Sequence, residues 1–342
     1  MNEHLKKYNI VTYTVPPQLV STIHRSSAQI VAAWFIIQRC TPYTYISLQS
    51  CRAGISSTCT WDEIGISLKR LLDVHTMPST LLPLQSIGRG NTTVVIGHYG
   101  KRSLTAIKQQ VFSRGSWEIS SHILGELIAL QELRKYTWSP EVYFHSVSQD
   151  MVQIGMEYLP ISMKQMVRFG TRQLEFVRRI LIQLISAVYA LHEHQMIHRD
   201  IKPDNIRFRS NGDLVLIDYD SCIMRDSKAE KTRRVCTSNY RDPYLFDPMS
   251  ELNSYDYQTL DAFSVGAVFL YMLHGGKHTF TGKSESDVVH TMRTYIDKHL
   301  DAFCIRLKLP PLDRSVLCGL LSVTPESRMT IREAYIAYKN IV

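Results

Sequence analysis

The amino-acid sequence predicts an α+β fold in which a small, strand-rich part is followed by a larger, mainly helical part. Short β-branched runs at residues 92–96 and 104–107 are typical of strands. Over residues 174–191 apolar side chains recur every three or four positions, which places them on one face of a helix. Residues 262–273 are apolar on all sides, as in a helix that is buried all round. The pattern after the strands predicts a further helix over residues 116–133.

The composition is that of a globular protein. The chain has 342 residues, of which 44% are hydrophobic and 20% are charged, so it can bury a sizeable core and a disordered chain is excluded. Lys and Arg outnumber Asp and Glu by 39 to 31, which gives a formal net charge of +8. This basic balance permits acidic partners, but it is also typical of an ordinary globular surface, and no nucleic-acid partner is indicated.

The cysteines and the apolar runs predict an intracellular protein without a membrane anchor. Seven cysteines are scattered without a C-x-x-C pair, so we expect reduced thiols rather than a disulfide framework or a zinc site. The chain opens on polar and basic residues, which predicts no secretory signal. The longest uncharged apolar runs, at residues 30–37 and 262–273, are well short of the ~20 residues that span a bilayer.

The first 80 residues form a region of their own. We expect a folded N-terminal extension over residues 1–80 and a second domain over residues 81–342. The extension is low in charge, and residues 26–39 fit a short, mostly buried helix. Thr60 and Glu63 have the spacing of a capping box ahead of a run of apolar positions. Nothing in this region indicates a chemistry, so its role stays open.

The segment with the most chemical information is residues 198–205, which read H-R-D-I-K-P-D-N. Two short apolar runs around an Asn-Gly turn follow it, and they predict a β-hairpin. The open end of that hairpin would bring Asn205 and Asp218 side by side, with Asp200 one loop away. Two carboxylates and an amide oxygen near one point suit Mg²⁺, a hard cation that takes oxygen ligands. Lys202 adds a positive charge beside Asp200, where a transferring phosphoryl group would need one.

This octapeptide resembles the catalytic loop of eukaryotic-type protein kinases, and the D-Y-D at residues 218–220 stands where that family has D-F-G. The resemblance extends from about residue 84 to residue 338. It implies a bilobal fold, with a strand-rich N-lobe over about residues 81–158 and a mainly helical C-lobe over about residues 159–342. It also implies that ATP and Mg²⁺ are the cofactors and that a protein hydroxyl is the acceptor.

The resemblance assigns a role to each polar residue of the loop and hairpin. Asp200 would be the catalytic base, and Lys202 would stabilise charge on the moving phosphoryl group. Asn205 and Asp218 would hold Mg²⁺. Because Lys202 stands two residues after Asp200, the loop resembles that of the Ser/Thr-specific branch. The expected partners are therefore protein substrates with Ser or Thr acceptors, whose identity the sequence leaves open.

Upstream segments resemble the nucleotide-binding parts of the same family. Residues 87–95 resemble its Gly-rich loop, although Thr93 occupies the third glycine position. Lys108 stands where the family has its phosphate-binding lysine, and Glu126, 18 residues later, is the expected partner in preference to Glu118. Lys108 and Glu126 would thus belong to the catalytic set. The resemblance implies that ATP is bound by Ile87, Gly88, Gly90, Val95, Ala106, Lys108, Met156, Glu157 and Leu159.

Downstream, two more segments resemble parts of a kinase C-lobe. Thr237 begins a stretch similar to the floor of the peptide-binding site, where it would bond Asp200 and Lys202. Asp261 begins a stretch similar to the central buried helix and would hold the backbone of the catalytic loop. In the family an arginine at the position of Arg199 often binds a phosphorylated residue of the activation segment.

Two positions depart from the family pattern. Asp220 replaces the glycine of D-F-G, which removes a residue that tolerates positive φ. Tyr244 replaces the glutamate of A-P-E, so Arg328 lacks its expected partner. These departures resemble those of divergent kinases of large DNA viruses. The residues that would substitute for the glutamate are Asp242, Asp247 or Glu251.

Three functions compete on this evidence: an active Ser/Thr protein kinase, a catalytically silent kinase-like scaffold that binds partner proteins, and a small-molecule kinase of related fold. The small-molecule kinase is disfavoured by Lys202 and by the peptide-floor motif. A silent scaffold would be expected to have lost at least one polar residue of the site. The chain retains all of Lys108, Asp200, Asn205 and Asp218. We therefore expect the active enzyme, with its oligomeric state open.

Overall fold

The computed structural model describes residues 82–86, 93–98, 104–111, 121–147, 151–170, 173–225, 237–247 and 255–339. The predictions for residues 1–80, for Glu118 and for the Gly-rich-loop residues Ile87, Gly88 and Gly90 lie outside these ranges. The chain divides into two compact units. The first runs to Glu132 and resumes over Glu141–Tyr158, and the second comprises Leu133–Pro140 and everything from Leu159 onward.

In its described residues, the first unit is a five-stranded antiparallel sheet with one helix. Its elements are β1 (Leu82–Ser86), β2 (Thr93–His98), β3 (Leu104–Val111), α1 (Ser121–Leu133), β4 (Val142–Val147) and β5 (Met151–Glu157). The strand order is β1-β2-β3-β5-β4, and every neighbouring pair is antiparallel. The strands predicted at residues 92–96 and 104–107 are confirmed, as is the helix predicted over residues 116–133 in its described part. Ile107, Phe144 and Ile154 are buried in this unit, with Leu127 of the helix.

The second unit is mainly helical. Its helices are α2 (Met163–Gly170), α3 (Leu174–Glu193), α4 (Gln258–Leu273), α5 (Glu285–Lys298), α6 (Leu300–Arg306), α7 (Pro311–Leu320) and α8 (Ile331–Tyr338). Its short strands are β6 (Ile161–Ser162), β7 (Met196–Ile197), β8 (Ile206–Phe208), β9 (Leu214–Leu216) and β10 (Ile223–Met224). They form a three-stranded sheet of order β6-β8-β9 and a β10-β7 pair. Within the described ranges, no helix is long and apolar enough to cross a membrane.

The central helix of the second unit is α4. Every residue from Leu260 to Met272 is buried, which confirms the prediction that this apolar run forms a helix packed on all sides. Helices α3 and α7 both pack against it. The α3 face predicted from residues 174–191 is likewise buried, with Ile180, Leu184 and Val188 in the core. The loop after α3 therefore follows a helix that is packed in the core of the second unit.

We expect Gly266→Ala to destabilise the protein by about 1–3 kcal/mol, because a methyl group there would overpack the contact between α4 and α7. A Cβ atom at Gly266 would lie 2.9 Å from Leu320 Cβ and 3.0 Å from Leu321 Cγ. In an exposed helix the same change would stabilise, because alanine has the higher helix propensity. Urea unfolding monitored by circular dichroism measures the effect. A midpoint equal to or above that of the native protein would contradict it.

Candidate active site

In the first unit, a buried ion pair links strand β3 to helix α1. Lys108 Nζ lies 2.7 Å from Glu126 Oε2, and the two residues are only 7% and 2% exposed. The pairing of Lys108 with Glu126 is thereby confirmed. Desolvation of two opposite charges in such a place is compensated only when they stay paired, so Glu126 fixes the position of the ammonium group.

Of the other predicted nucleotide contacts of this unit, Val95, Ala106, Met156 and Glu157 lie on strands of the same sheet as Lys108. Ala106 lies two residues before Lys108 on β3, and it pairs with Met156 of β5. Val95 lies on β2, opposite Ile107. The Glu157 N–H donates to the carbonyl of residue 141 at 2.9 Å, so a contact between Glu157 and an adenine base would use the Glu157 carbonyl oxygen. Leu159, the other predicted contact of this segment, is buried and begins the longer part of the second unit.

In the second unit, the predicted hairpin is confirmed. Strands β8 and β9 pair antiparallel, and Gly212 in the turn between them has a φ of 89°, which glycine adopts without strain. At the open end, the Ile217 N–H donates to the Asn205 carbonyl oxygen at 3.0 Å. This bond confirms that the ends of the hairpin meet, with Asn205 beside the residue that precedes Asp218.

Three residues hold the Asp200 carboxylate. Its Oδ2 accepts from Lys202 Nζ at 2.6 Å and from Asn205 Nδ2 at 3.0 Å. Its Oδ1 lies 3.3 Å from the Thr237 backbone nitrogen, which donates to it. Lys202 Nζ also donates to Thr237 Oγ1 at 3.1 Å, which confirms the predicted contacts of Thr237. The carboxylate is thus fixed in orientation while it remains only half-buried.

The orientation of Asn205 follows from its partners. Its amide nitrogen donates to both the backbone oxygen and Oδ2 of Asp200, at 2.9 and 3.0 Å. Both partners are acceptors, so the nitrogen and the oxygen of the amide cannot be exchanged. The Asn205 Oδ1 atom therefore points away from Asp200. Together with the half-buried carboxylate of Asp218, it offers the oxygen donors that suit a hard divalent cation.

Asp261, at the start of α4, holds the backbone of the loop that carries Asp200. Its Oδ2 accepts from the His198 N–H at 2.9 Å, and its Oδ1 accepts from the Arg199 N–H at 2.9 Å. Asp261 is completely buried, and the predicted contact between this residue and the loop is confirmed. His192 Nε2 lies 3.0 Å from Oδ2, a further contact that the sequence motifs did not indicate. Arg199 has a φ of 64°, a strained value for a non-glycine residue, and these bonds hold it there.

The Arg199 side chain is buried within the second unit. Its Nε donates to the Ser221 carbonyl oxygen at 2.6 Å, and its guanidinium group lies 5.9 Å from the centre of the Tyr257 ring. Burial lowers the pKa of Arg199, and the nearby Cys222, Tyr257 and Asp261 partly oppose that shift. The side chain therefore links the loop to the 219–221 turn. Residues 226–236 of the activation segment, which include Ser227 and Thr232, lie outside the described ranges.

Comparison with known proteins agrees with this geometry. The family described as "Protein kinase domain" matches residues 82–337, most of the chain. The chain belongs to the protein kinase family. It is 28% identical over 163 residues to a chain named as a serine/threonine-protein kinase of Acanthamoeba polyphaga mimivirus, covering 47% of this chain and 55% of that one.

Two further relatives are eukaryotic. A serine/threonine-protein kinase of Schizosaccharomyces pombe is 30% identical over 189 residues, which cover 54% of this kinase and 51% of the relative. A chain named as a cyclin-dependent kinase of Oryza sativa subsp. japonica is 30% identical over 213 residues, covering 53% and 63% respectively. The kinase described here thus spans less than two thirds of the length of each of these relatives.

The first departure from the family pattern, Asp220, is accommodated by the backbone of this kinase. Residues Tyr219–Ser221 form a single 3-10 turn, and the left-handed residue of the segment is Asp218, with a φ of 67°. Asp220 is not among the residues with positive φ in the described part of the chain. The freedom of a glycine is therefore not used in this conformation, and an aspartate fits without backbone strain.

The second departure is Tyr244, which replaces the glutamate expected to pair with Arg328; Asp242 pairs with Arg328 instead. Arg328 Nη2 donates to Asp242 Oδ1 at 2.9 Å, and Nη1 donates to Oδ2. Both side chains are completely shielded from solvent. Of the three candidates that the sequence left open, Asp242 is the partner, whereas Asp247 is exposed and Glu251 lies outside the described ranges. The kinase keeps the buried ion pair by supplying its carboxylate two positions earlier in the sequence than Tyr244.

Proposed function

We propose that this protein kinase transfers the γ-phosphoryl group of ATP to Ser or Thr hydroxyls of protein substrates in a Mg²⁺-dependent reaction. The observation that carries the proposal is the arrangement around Asp200, whose carboxylate is held by Lys202, Asn205 and Thr237. A carboxylate held in this way can orient an incoming hydroxyl and accept its proton. The lysine places positive charge next to the point of transfer.

The residues of the second unit have separate roles in this proposal. Asp200 takes the proton of the acceptor hydroxyl, and Lys202 stabilises negative charge on the moving group. Asn205 Oδ1 and the Asp218 carboxylate would hold Mg²⁺, for which their oxygen-only donor set is suited. When bound, Mg²⁺ neutralises charge on the phosphate oxygens and ATP supplies the phosphoryl group. Thr237 holds both Asp200 and Lys202, which supports the assignment to Ser/Thr acceptors.

The residues of the first unit would bind the nucleotide. Lys108, fixed by its ion pair with Glu126, would hold the α- and β-phosphates. The remaining proposed contacts from this unit are Ile87, Gly88, Gly90, Val95, Ala106, Met156 and Glu157. Leu159, which belongs to the second unit, is a further predicted contact. The alternative, a catalytically silent scaffold, finds no support in the described residues. Lys108 is paired with Glu126, and Asp200 is paired with Lys202, as an active site requires.

We expect Lys108→Met to reduce phosphoryl transfer by about 10²-fold or more, because misplaced phosphates lose the alignment that transfer needs. Transfer of label from γ-labelled ATP to a generic basic protein, over a Mg²⁺ titration, measures both the activity and its metal dependence. Lys164→Met, which removes an exposed lysine from α2, is the matched control and should leave the rate unchanged. Unaltered kcat and KM for ATP in the Lys108 variant would count against its role.

A further inference from the structure

Tyr219, the middle residue of D-Y-D, has a hydroxyl group that bonds back to the strand before it. Its side chain is completely buried. The hydroxyl donates to the Leu216 carbonyl oxygen, at the end of β9, at 3.1 Å. The phenylalanine of the D-F-G pattern could not donate this bond, because its ring carries no polar group. The hydroxyl therefore supplies a contact that depends on the tyrosine of this chain.

The bond spans Asp218. It joins residue 219 to residue 216, so it closes a ring of main chain and side chain that contains Asp218. Asp218 has a φ of 67° and a ψ of 71°, a left-handed conformation that a non-glycine residue keeps only when its surroundings hold it there. The direction of the Asp218 carboxylate depends on this backbone conformation. A bond across the residue therefore restrains both the backbone and the carboxylate.

The peptide groups of Ile217, just before Asp218, are held by other parts of the second unit. The Ile217 N–H donates to the Asn205 carbonyl oxygen at 3.0 Å, and the Ile217 carbonyl oxygen lies 3.3 Å from His198 Nε2. A carbonyl oxygen only accepts, so this nitrogen of His198 carries a proton and donates it. The chain before Asp218 is thus fixed by the hairpin and the loop, and Tyr219 ties the chain after Asp218 to β9.

We propose that Tyr219 is a positioning residue for Asp218, and that its hydroxyl keeps the Asp218 carboxylate in the orientation that binds Mg²⁺. This inference rests on the proposed function, in which Asp218 and Asn205 hold the ion. Without the hydroxyl, Asp218 would populate other backbone conformations, and the apparent affinity for Mg²⁺ would fall with the fraction that remains competent to bind. The net contribution of one such hydrogen bond corresponds to a change of about 2–10-fold in that equilibrium. Saturating Mg²⁺ would restore the competent conformation.

Tyr219→Phe tests this role, because it removes one oxygen atom and keeps the ring. We expect the Mg²⁺ concentration that gives half-maximal phosphoryl transfer to rise about 2–10-fold, while kcat at saturating Mg²⁺ stays within about twofold of the native value. Tyr338→Phe is the matched control, since the Tyr338 hydroxyl is also buried in the second unit but donates to Asp313 Oδ1, at 2.7 Å. The control should leave the Mg²⁺ requirement unchanged.

Two further measurements on the same full-length variants need no catalysis. Calorimetric titration with Mg²⁺ in the presence of a non-hydrolysable ATP analogue should show the same loss of affinity, about 2–10-fold, in Tyr219→Phe. Amide hydrogen exchange of residues 216–222, measured by mass spectrometry, should be faster in Tyr219→Phe than in the native chain. Exchange of the same residues should be unchanged in Tyr338→Phe.

These measurements distinguish failure of the positioning role from failure of the proposed function. An inactive native chain would overturn the proposed function, whereas faster exchange in Tyr219→Phe would still support the role of the hydroxyl. Native exchange and native Mg²⁺ affinity in Tyr219→Phe would overturn that role. A loss of kcat that saturating Mg²⁺ does not restore would overturn it too, and so would an equal change in Tyr338→Phe, which would indicate general damage to the second unit.

Discussion

Asp200→Asn is expected to lower kcat by at least about 10²–10⁴-fold, the usual contribution of a general base. The asparagine has nearly the same shape, but its amide cannot accept the proton of the acceptor hydroxyl. Lys202 would also lose its 2.6 Å ion pair with the carboxylate and with it the restraint on its ammonium group. The proposed ATP contacts all lie outside this loop, and the substitution leaves them unchanged. The affinity for ATP should therefore be retained. This variant therefore distinguishes a loss of phosphoryl transfer, seen in kcat, from a loss of ATP binding.

The measurement combines steady-state phosphoryl transfer with titration of ATP binding on the same preparation. Asp204→Asn is the matched control, because Asp204 is an exposed carboxylate in the same loop and should leave kcat within a few-fold of the native value. Near-normal turnover in the Asp200 variant would show that another group accepts the proton. Equal losses in both variants would indicate that the loop, rather than the Asp200 carboxylate, is what the substitution disturbs.

The site residues of the second unit were predictable where local sequence determines them. Asn205 and Asp218 flank a hairpin whose two strands are joined by an Asn-Gly turn, and that turn fixes which residues face each other. The helix α4 was predictable for a similar reason, since an apolar run without a polar face has to be buried on all sides. In both cases the residues that determine the structure are close together in the sequence.

Contacts between residues that are far apart in sequence were harder to predict. The bonds of Asp261 to His198 and Arg199 were expected only from the resemblance to a known family, since 63 and 62 residues separate the partners. The additional contact of His192 with Asp261 was not predicted, because a histidine at the end of a helix has no sequence pattern that reveals its partner. The partner of Arg328 stayed open among three carboxylates, since only the packing decides which of them is buried beside it.

That buried pair leads to the largest expected effect on stability. Asp242→Ala should destabilise the second unit by about 3–5 kcal/mol, because it leaves the Arg328 guanidinium buried without its counter-charge. The substitution would also leave two further hydrogen-bond donors without their acceptor, which adds to the loss of stability. Tyr255 Oη donates to its Oδ2 at 2.6 Å, and the Tyr244 N–H donates to its Oδ1 at 2.9 Å. Urea unfolding followed by circular dichroism would report the change as a lowered midpoint.

A double-mutant cycle distinguishes the ion pair from general damage to the core. Arg328→Met keeps much of the volume of the side chain but removes its charge, and it should also destabilise, since it leaves Asp242 without its cation. Because each single variant leaves one charge unpaired, the double variant Asp242→Ala with Arg328→Met should lose less than the sum of the two. Asp247→Ala, which removes the exposed carboxylate nearby, should change stability by less than about 0.5 kcal/mol. Strict additivity of the single effects would mean that Arg328 and Asp242 are not coupled, and that another group takes the place of the missing glutamate.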